Sequence, residues 1–217
     1  MSIKENIEYI LFSLPKDTTL IAVSKTRNID EIKEAYDTGI RDFGENKVQE
    51  LIEKIDYLPS DIKWHLIGHL QRNKVKFIVG RVHLIHSLDS IRLLEEIEKQ
   101  FKLKNYTANV LIQINIGREE SKTGIMLEDI DALIDACETC SSVKVKGLMA
   151  IIPKCDEDKC RGYFKEMKNI WNILSQGSYK NVEMKYLSMG MTEDYNIAIS
   201  EGSNMIRVGA GIFGQRK

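Results

Sequence analysis

The sequence predicts an α/β fold, a single (β/α)8 TIM barrel with an extra N-terminal helix. Eight short, β-rich apolar runs alternate with longer segments of helical period, and such alternation requires crossover connections and therefore parallel strands. The segment SKTRN, which follows the first run, lacks the glycine-rich turn that an open dinucleotide-binding sheet would place there. The length of 217 residues suffices for a lean barrel. These observations favour the closed barrel over an open doubly wound sheet.

The strands and helices are assigned from the spacing of their apolar residues. The predicted strands are 19–24, 40–44, 63–68, 82–87, 108–116, 143–151, 183–189 and 204–209. The extra helix is the amphipathic start MSIKENIEYILFSL, whose interspersed charges exclude a signal peptide. The helices predicted between strands are 30–37, 45–55, 91–101, 127–137 and 164–174, and we expect the apolar stripes of the last three to face the core.

The composition excludes several function classes. With 31 basic and 32 acidic side chains the formal charge is −1, which argues against bulk nucleic-acid binding. No apolar run approaches the roughly 20 residues that a membrane span needs, so we expect a cytoplasmic protein with one domain over 1–217. The spacing of Cys137, Cys140, Cys155 and Cys160 fits neither a zinc site nor a redox motif, and we interpret these cysteines as buried or incidental.

Two features at predicted strand ends suggest chemistry. Lys25 follows the first strand, where desolvation would favour a nucleophilic free amine; a solvated surface lysine is the alternative. Five of the 14 glycines lie in the last 28 residues, in and around the segments SMGMT at 188–192 and VGAGIFG at 208–214. The loops after the last two strands of a barrel commonly bind phosphate, and Ser188 and Thr192 add hydroxyl donors. Simple tight turns are the alternative for these glycines.

A nucleophilic lysine facing a phosphate-binding loop suggests pyridoxal 5'-phosphate (PLP) as the cofactor. The aldehyde would condense with Lys25, and the phosphate would lie in the two glycine-containing loops. Arg207, at the end of the eighth predicted strand, could reach the pyridine nitrogen. Because arginine keeps its proton, it would leave that nitrogen unprotonated and make the cofactor a weaker electron sink. A strand-end salt bridge is the alternative for Arg207.

Several motifs then occur in the order of a known family. They are IAVSKT at 21–26, FGENKVQE at 43–50, WHLIGHLQRNK at 64–74, HSLDS at 86–90, GLMAI at 147–151, LSMGMTEDYNIAISEGSNMIRVG at 187–209 and GAGIFG at 209–214. Over nearly its whole length the chain resembles the pyridoxal phosphate homeostasis protein family, which has an alanine-racemase-like single barrel.

The resemblance implies roles for particular residues. It implies a fold-type III PLP site with Lys25 as the Schiff-base lysine and Arg207 near the pyridine nitrogen. The residues that it implies around the phosphate are Ser188, Met191, Thr192, Gly209 and Ala210. Asn46 would lie beside the ring hydroxyl and Lys25, and Met149 would pack near the ring.

Three residues near this site keep open interpretations. In the loop 114–125, Lys122 matches a lysine of the family; it either handles PLP or is a solvated loop lysine. His65 and His69 are expected near the barrel mouth, as structural or polar lining groups, because their spacing forms neither a metal motif nor a catalytic dyad.

Three functions remain to be compared: a PLP carrier, a PLP-dependent amino-acid racemase, and a regulatory module with a vestigial site. A racemase needs two bases on opposite faces of the bound substrate, and in alanine racemases the second is a tyrosine from another subunit. The chain stops at Lys217 without a second domain, and nothing recommends Tyr186 or Tyr195 for that role. We therefore expect a protein of PLP homeostasis that holds PLP as a Schiff base on Lys25 without turnover. It is expected to be a monomer that binds no nucleic acid and no membrane, with apo PLP-dependent enzymes as possible recipients.

Overall fold

A computed structural model describes residues 1–120 and 122–215, so the predicted domain 1–217 and the predicted loop 114–125 each include residues outside the described part. Within that part, eight parallel strands pair in sequence order and close into a barrel. The strands are β1 (Thr19–Val23), β2 (Asp42–Glu45), β3 (Lys63–Leu66), β4 (Leu84–Leu88), β5 (Ala108–Ile114), β6 (Val143–Ala150), β7 (Val182–Ser188) and β8 (Met205–Val208). The predicted fold class, a (β/α)8 barrel with an N-terminal helix, is confirmed.

The helices lie outside the barrel, before, between and after its strands. They are α1 (Ile3–Ser13), α2 (Ile29–Asp37), α3 (Val48–Ile55), α4 (Ile91–Leu103), α5 (Ile130–Glu138), α6 (Glu157–Ser175), α7 (Tyr195–Ser200) and α8 (Ala210–Phe213). The first two begin with capping boxes, in which Ser2 pairs with Glu5 and Asn28 pairs with Glu31. Each box satisfies two backbone N–H groups that would otherwise lack partners at the helix start.

The structure differs from the sequence prediction at one helix start and in three short elements. Glu45, predicted as the first residue of a helix, is the last residue of β2, and α3 begins only at Val48. The Glu45 side chain is fully buried inside an ion-pair cluster, which the helical period of 45–55 does not reveal. The 3-10 helix Arg72–Phe77 and the short helices α7 and α8 were not predicted, because segments of one or two turns carry little periodic signal.

The barrel has an apolar layer under its helices and a mixed interior. Between the helices and the sheet lie large buried side chains, Phe101 and Phe164 from helices and Phe43 from β2. Inside the barrel, a smaller apolar cluster consists of Ile21, Leu84, Leu111, Met149 and Met205. The interior also contains buried polar side chains, namely those of His65, His86, Ser188 and Arg207. Buried polar groups must find partners, so the interior carries an organised hydrogen-bond network.

The pairing of β1 with β8 closes the barrel and positions the candidate site. Ile21 of β1 is opposite Arg207 of β8 in this pairing. Lys25, just after β1, and Arg207, on β8, are therefore brought close together although they are far apart in sequence. Among residues 1–120 and 122–215, none of the helices has the length and apolar character needed to cross a membrane.

Candidate cofactor-binding site

A cavity of about 940 Å³ opens at the carboxyl ends of the strands. Its size is in the range of small-molecule sites, and this end of a barrel is where active groups assemble. Seven of the nine predicted site residues line it: Lys25, Asn46, Met191, Thr192, Arg207, Gly209 and Ala210. The structure therefore brings together residues that the sequence separates by more than 180 positions.

Lys25 lies in the turn that joins β1 to α2, and its side chain is partly buried. The next residue, Thr26, has a φ of 65°. A β-branched residue is strained in this left-handed region, so the turn needs support from its surroundings. The support comes from both flanks: Lys54 Nζ donates to the Ser24 carbonyl oxygen at 2.9 Å, and the Thr26 N–H donates to the Glu50 carboxylate.

The side chains that provide this support form what we call the Lys54 cluster: Ser24, Glu45, Glu50 and Lys54. Lys54 Nζ donates to Glu45 Oε1 at 2.8 Å and to Glu50 Oε1 at 2.6 Å. The Ser24 hydroxyl also donates to Glu45 Oε1, at 2.6 Å. Burial raises the pKa of Glu45, although the hydrogen bond and the charge of Lys54 act against the rise. An ion pair behind the lysine turn thus fixes the backbone on both sides of Lys25.

Asn46 reaches the cavity because a glycine lets two loops approach closely. A Cβ atom on Gly68 would lie 2.3 Å from the Asn46 carbonyl oxygen and 2.8 Å from its Cα. A side chain at position 68 would therefore have to displace the backbone that presents Asn46. Both residues line the cavity.

The loops after β7 and β8 are joined by a hydrogen bond from the Gly211 N–H to Thr192 Oγ1, at 3.2 Å. Gly190 starts the first loop with a φ of 95°, and a Cβ there would lie 2.7 Å from the Cβ of Ala198. The Met191 N–H is already taken by Asp194 Oδ1, at 2.6 Å. Burial raises the pKa of Asp194. An anion between these loops would therefore depend on backbone donors other than the Met191 amide.

Arg207 is 3% exposed and lies at the floor of the cavity. Its Nη1 donates to the Ser188 carbonyl oxygen at 2.9 Å and to Ser188 Oγ at 2.7 Å, and its Nη2 donates to the Ala150 carbonyl oxygen at 2.9 Å. These bonds use three of the five N–H donors of a guanidinium group, which leaves two for a ligand. Burial lowers the pKa of Arg207 to about 10, so the side chain remains charged at neutral pH.

The other two predicted site residues, Ser188 and Met149, lie below the cavity rather than in its lining. Both are fully buried. Ser188 bonds to Arg207 through its hydroxyl and its carbonyl oxygen, and Met149 packs in the interior apolar cluster. Their side chains turn into the barrel because they lie on β7 and β6, where alternate residues face inward. Their side chains contact Arg207 and the interior packing of the barrel, and their predicted roles at a ligand stay predictions.

The cavity also contains polar groups that the sequence analysis did not assign. Gln113 lines it and donates from Nε2 to Thr123 Oγ1 at 2.9 Å, whereas its buried Oε1 has no hydrogen-bond partner within the described residues. A polar residue within the apolar run of β5 was the available signal. Lys122 and His69 line the cavity, but His65 does not: it lies inside the barrel, bonded toward the amino end.

The cysteines divide into two pairs. Cys137 and Cys140 are buried, and burial raises their pKa values to about 12 and about 11. They are unreactive core residues at neutral pH, as predicted. Cys155 and Cys160 instead line the cavity, with their Sγ atoms 3.0 Å apart. Within the described residues, no cluster of three His, Cys, Asp or Glu side chains is arranged to hold a metal ion.

Comparison with known proteins places this geometry in a family. The family model for the alanine racemase N-terminal domain matches residues 1–217. The chain is 42% identical over 200 residues to the pyridoxal phosphate homeostasis protein of Aquifex aeolicus, covering 91% of this chain and 87% of the relative. It is 37% identical over 206 residues to the protein of the same name from Escherichia coli K12, covering 93% and 87%.

Comparison with solved structures points to the same family. PipY of Synechococcus elongatus, solved without PLP, matches with a TM-score of 0.93 at 33% identity, covering 98% of this chain and 100% of that chain. PipY with PLP bound matches with a TM-score of 0.90 over the same shares. Alanine racemase from E. faecalis matches with a TM-score of 0.76 at 16% identity, over 99% of this chain and 58% of that chain, which shows a shared fold alone. The chain belongs to the pyridoxal phosphate homeostasis protein family.

Proposed function

We propose that this protein binds PLP as a Schiff base on Lys25 and serves PLP homeostasis without catalytic turnover. The observation that carries the proposal is a single cavity that joins Lys25 to the buried Arg207 and to two tied loops of small residues. The related PipY protein has been solved with PLP bound, which supports the choice of cofactor. The Gln113 acceptor and the two remaining Arg207 donors are suited to a polar, ring-shaped ligand of this kind.

Each residue has a defined task in this proposal. PLP supplies a reactive aldehyde, and the Lys25 amine condenses with it, forming a C=N bond and releasing water. Arg207 donates to the ring nitrogen and keeps it unprotonated, because its own pKa of about 10 keeps the guanidinium charged. Thr192, Gly209 and Ala210, with the Met191 side chain, surround the phosphate.

The remaining predicted residues shape the site from its edges. Asn46 lies beside Lys25 and the ring hydroxyl, held there by the approach of Gly68. Ser188 acts through its bonds to Arg207, and Met149 packs beneath the ring. Lys122 lines the same cavity, so that a second amine lies within the site.

An amino-acid racemase is the second candidate function, and the cavity lining argues against it. Racemisation needs a second base opposite the lysine. Among the described residues that line the cavity there is no tyrosine. Tyr186 packs against the interior apolar cluster, and Tyr195 is buried at the start of α7. Unless another subunit supplied the base, as in alanine racemases, this distribution favours a carrier, which needs only to hold the cofactor and to exchange it.

The cofactor assignment is tested by reduction. We expect the purified protein with PLP to show the visible absorbance of a Schiff base, and borohydride to fix one PLP on Lys25, as read by peptide mass spectrometry. Lys25→Ala should lose the adduct, whereas Lys47→Ala, an exposed lysine, should keep it. An adduct of equal yield at another single lysine of the Lys25→Ala protein would refute the assignment.

The carrier is separated from the racemase by a paired assay. The loaded protein is incubated with single amino-acid enantiomers while chirality is followed, and in parallel with an apo PLP-dependent enzyme while the activity of that enzyme is followed. We expect transfer of PLP without racemisation. Racemisation beyond one equivalent would favour the enzyme.

We further propose one domain over 1–217 that acts as a cytoplasmic monomer, with apo-enzymes as recipients. Light scattering after size-exclusion chromatography tests the monomer directly, because a dimer would double the mass obtained from the sequence.

A further inference from the structure

A line of hydrogen bonds runs through the barrel interior from its amino end to Arg207. His65 Nε2 lies 2.9 Å from Asp42 Oδ1, and His65 Nδ1 lies 2.9 Å from His86 Nε2. His86 Nδ1 lies 3.2 Å from Ser188 Oγ, which accepts from Arg207 Nη1 at 2.7 Å. We call Asp42, His65, His86 and Ser188 the histidine relay.

The relay crosses the barrel from one end to the other. Asp42 is the first residue of β2 and its side chain is 21% exposed, so the relay begins at the amino end, within reach of solvent. His65 and His86, on β3 and β4, are buried to 1% and 0% exposure. Ser188 is the last residue of β7, directly below the cavity floor. The relay therefore connects solvent at one end of the barrel to the floor of the cavity at the other.

Arg207 at one end of the relay and Asp42 at the other fix which atom donates in each hydrogen bond between them. A guanidinium group only donates, and an ionised carboxylate only accepts. With both histidines neutral, all partners are satisfied in one arrangement: the Ser188 hydroxyl donates to His86 Nδ1, His86 Nε2–H donates to His65 Nδ1, and His65 Nε2–H donates to Asp42. Both rings must then be Nε2–H tautomers.

The surroundings of the relay favour a neutral His86 and an ionised Asp42. Burial holds the pKa of His86 well below its usual range, and the nearby His65, Arg207 and His83 act in the same direction. Burial raises the pKa of Asp42, but the hydrogen bond from His65 and the charge of Lys63 act against the rise, so that the pKa of Asp42 is lowered. The titratable and charged groups that face the relay and Arg207 are Asp42 from β2, Lys63 and His65 from β3, His83 and His86 at β4, Lys185 from β7, Asp194 after β7 and Arg207 from β8.

We propose that the histidine relay helps to keep the Arg207 guanidinium aimed at the cavity, and that protonating its histidine pair or neutralising Asp42 reverses the relay and weakens the Arg207–Ser188 Oγ contact, while the two bonds from Arg207 to backbone carbonyl oxygens remain. A proton on His65 Nδ1 would face the His86 Nε2–H, so the His86 ring must change tautomer. His86 Nδ1–H then points at Ser188 Oγ, which already accepts from Arg207. The Ser188 hydroxyl proton loses its acceptor, and the Arg207 contact weakens.

Asp42→Asn tests the direction of the relay in the protein without PLP. An amide in place of the carboxylate can donate to His65 Nε2, as the Asp→Asn change in a Ser-His-Asp triad gives the wrong tautomer. Long-range ¹H–¹⁵N NMR correlations should show Nε2–H tautomers for His65 and His86 in the unaltered protein, and Nδ1–H tautomers in Asp42→Asn. The guanidinium protons of Arg207 should exchange with solvent several-fold faster in the variant. His83→Gln is the matched control: its ring packs edge-on to His65, with centroids 5.5 Å apart, outside the line of hydrogen bonds.

A second measurement, the Kd for PLP, rests on the proposed function. Because partners behind a ligand-binding group typically change affinity by about tenfold or more, we expect Asp42→Asn to raise the Kd for PLP about tenfold at neutral pH. In the unaltered protein the Kd should rise as the pH falls, and this dependence should flatten in Asp42→Asn. His83→Gln should keep the affinity at neutral pH, because it leaves the line of hydrogen bonds intact.

The outcomes are distinct. An Nδ1–H tautomer of either ring in the unaltered protein overturns the relay, as does a tautomer change that leaves both Arg207 exchange and PLP affinity unaltered. If the protein fails to bind PLP at all, the proposed function fails, while the tautomers and the Arg207 exchange still decide the relay. Circular dichroism melting checks folding, and Asp42→Ser, which removes the charge with a smaller group, repeats the test if the asparagine variant is unfolded.

Discussion

Two buried polar networks reach the cavity, and they are built from different chemistry. The Lys54 cluster holds the backbone on both sides of Lys25 with a compact ion pair that spans nine residues of sequence. The histidine relay reaches the side chain of Arg207 through buried rings contributed by strands that are distant in sequence. The difference shows that the turn carrying Lys25 is positioned by charge pairing nearby, whereas the buried Arg207 contacts a hydrogen-bond line that crosses the whole barrel.

The largest expected effect comes from breaking the ion pair. Lys54→Met leaves the buried Glu45 carboxylate without its cation, and such a loss costs about 3–5 kcal/mol of stability. Urea denaturation measures it. Lys4→Met is the control, because the Lys4–Glu8 pair is exposed and should change stability only slightly. Equal losses in the two variants would contradict a structural role for the Lys54 cluster.

The next effect comes from changing the shape of the buried donor. Arg207→Lys keeps the charge but cannot donate to the Ser188 and Ala150 carbonyl oxygens together, so we expect a loss of about 1–3 kcal/mol. Arg118→Lys, at an exposed pair with Glu128, should leave the urea midpoint near that of the unaltered protein. A stable Arg207→Lys protein would mean that charge alone is needed at the cavity floor.

The relay should also give the stability a pH dependence. Because the pKa of His86 is lowered by folding, the unfolded chain binds more protons below its ordinary value near 6.5, and stability falls as the pH falls from there. One such group contributes a slope of up to about 1.4 kcal/mol per pH unit. His86→Gln should reduce the slope of unfolding free energy between pH 6.5 and 5, and the exposed His69→Gln should retain it. If the unfolding free energy of His86→Gln kept the same pH dependence, His86 would not be its source.

The smallest expected loss of stability comes from Glu50, the member of the Lys54 cluster that accepts from the Thr26 N–H. Glu50→Gln keeps an acceptor for the Thr26 N–H but loses the charge, so we expect a loss of about 0.5–1 kcal/mol and faster hydrogen exchange of the Thr26 amide. Glu53→Gln, on the exposed face of the same helix, is the matched control. Equal Thr26 exchange in the two variants would show that the turn is held without Glu50.

The sequence predicted the barrel because it depends on short-range signals, and strand ends together with the family resemblance pointed to seven residues that line the cavity. Alternating runs and helical stripes place strands and helices, and the ends of those strands place Lys25, Thr192 and Arg207. The helix start at 45–55 was wrong because a buried glutamate at a strand end resembles the polar face of a helix. Glu45 is stabilised there by Lys54, a partner that no periodicity identifies.

The networks behind the site could not be predicted for a related physical reason. His65 and His86 lie in apolar runs, where an isolated histidine gives no indication of its hydrogen-bond partner. Their contacts depend on the register between strands, which is fixed only when the barrel closes. Ser188 and Met149 were placed at the ligand for the same reason: composition and motif identify them, but the inward direction of their side chains comes from the sheet.

The pairing of β1 with β8 has a consequence for how the protein is made. During synthesis Lys25 leaves the ribosome long before Arg207, and its strand has no closing partner until β8 emerges. The cavity is lined by residues from both ends of the chain, so it cannot form on a partly translated chain. Insertion of the last strand is therefore the step that completes the binding site.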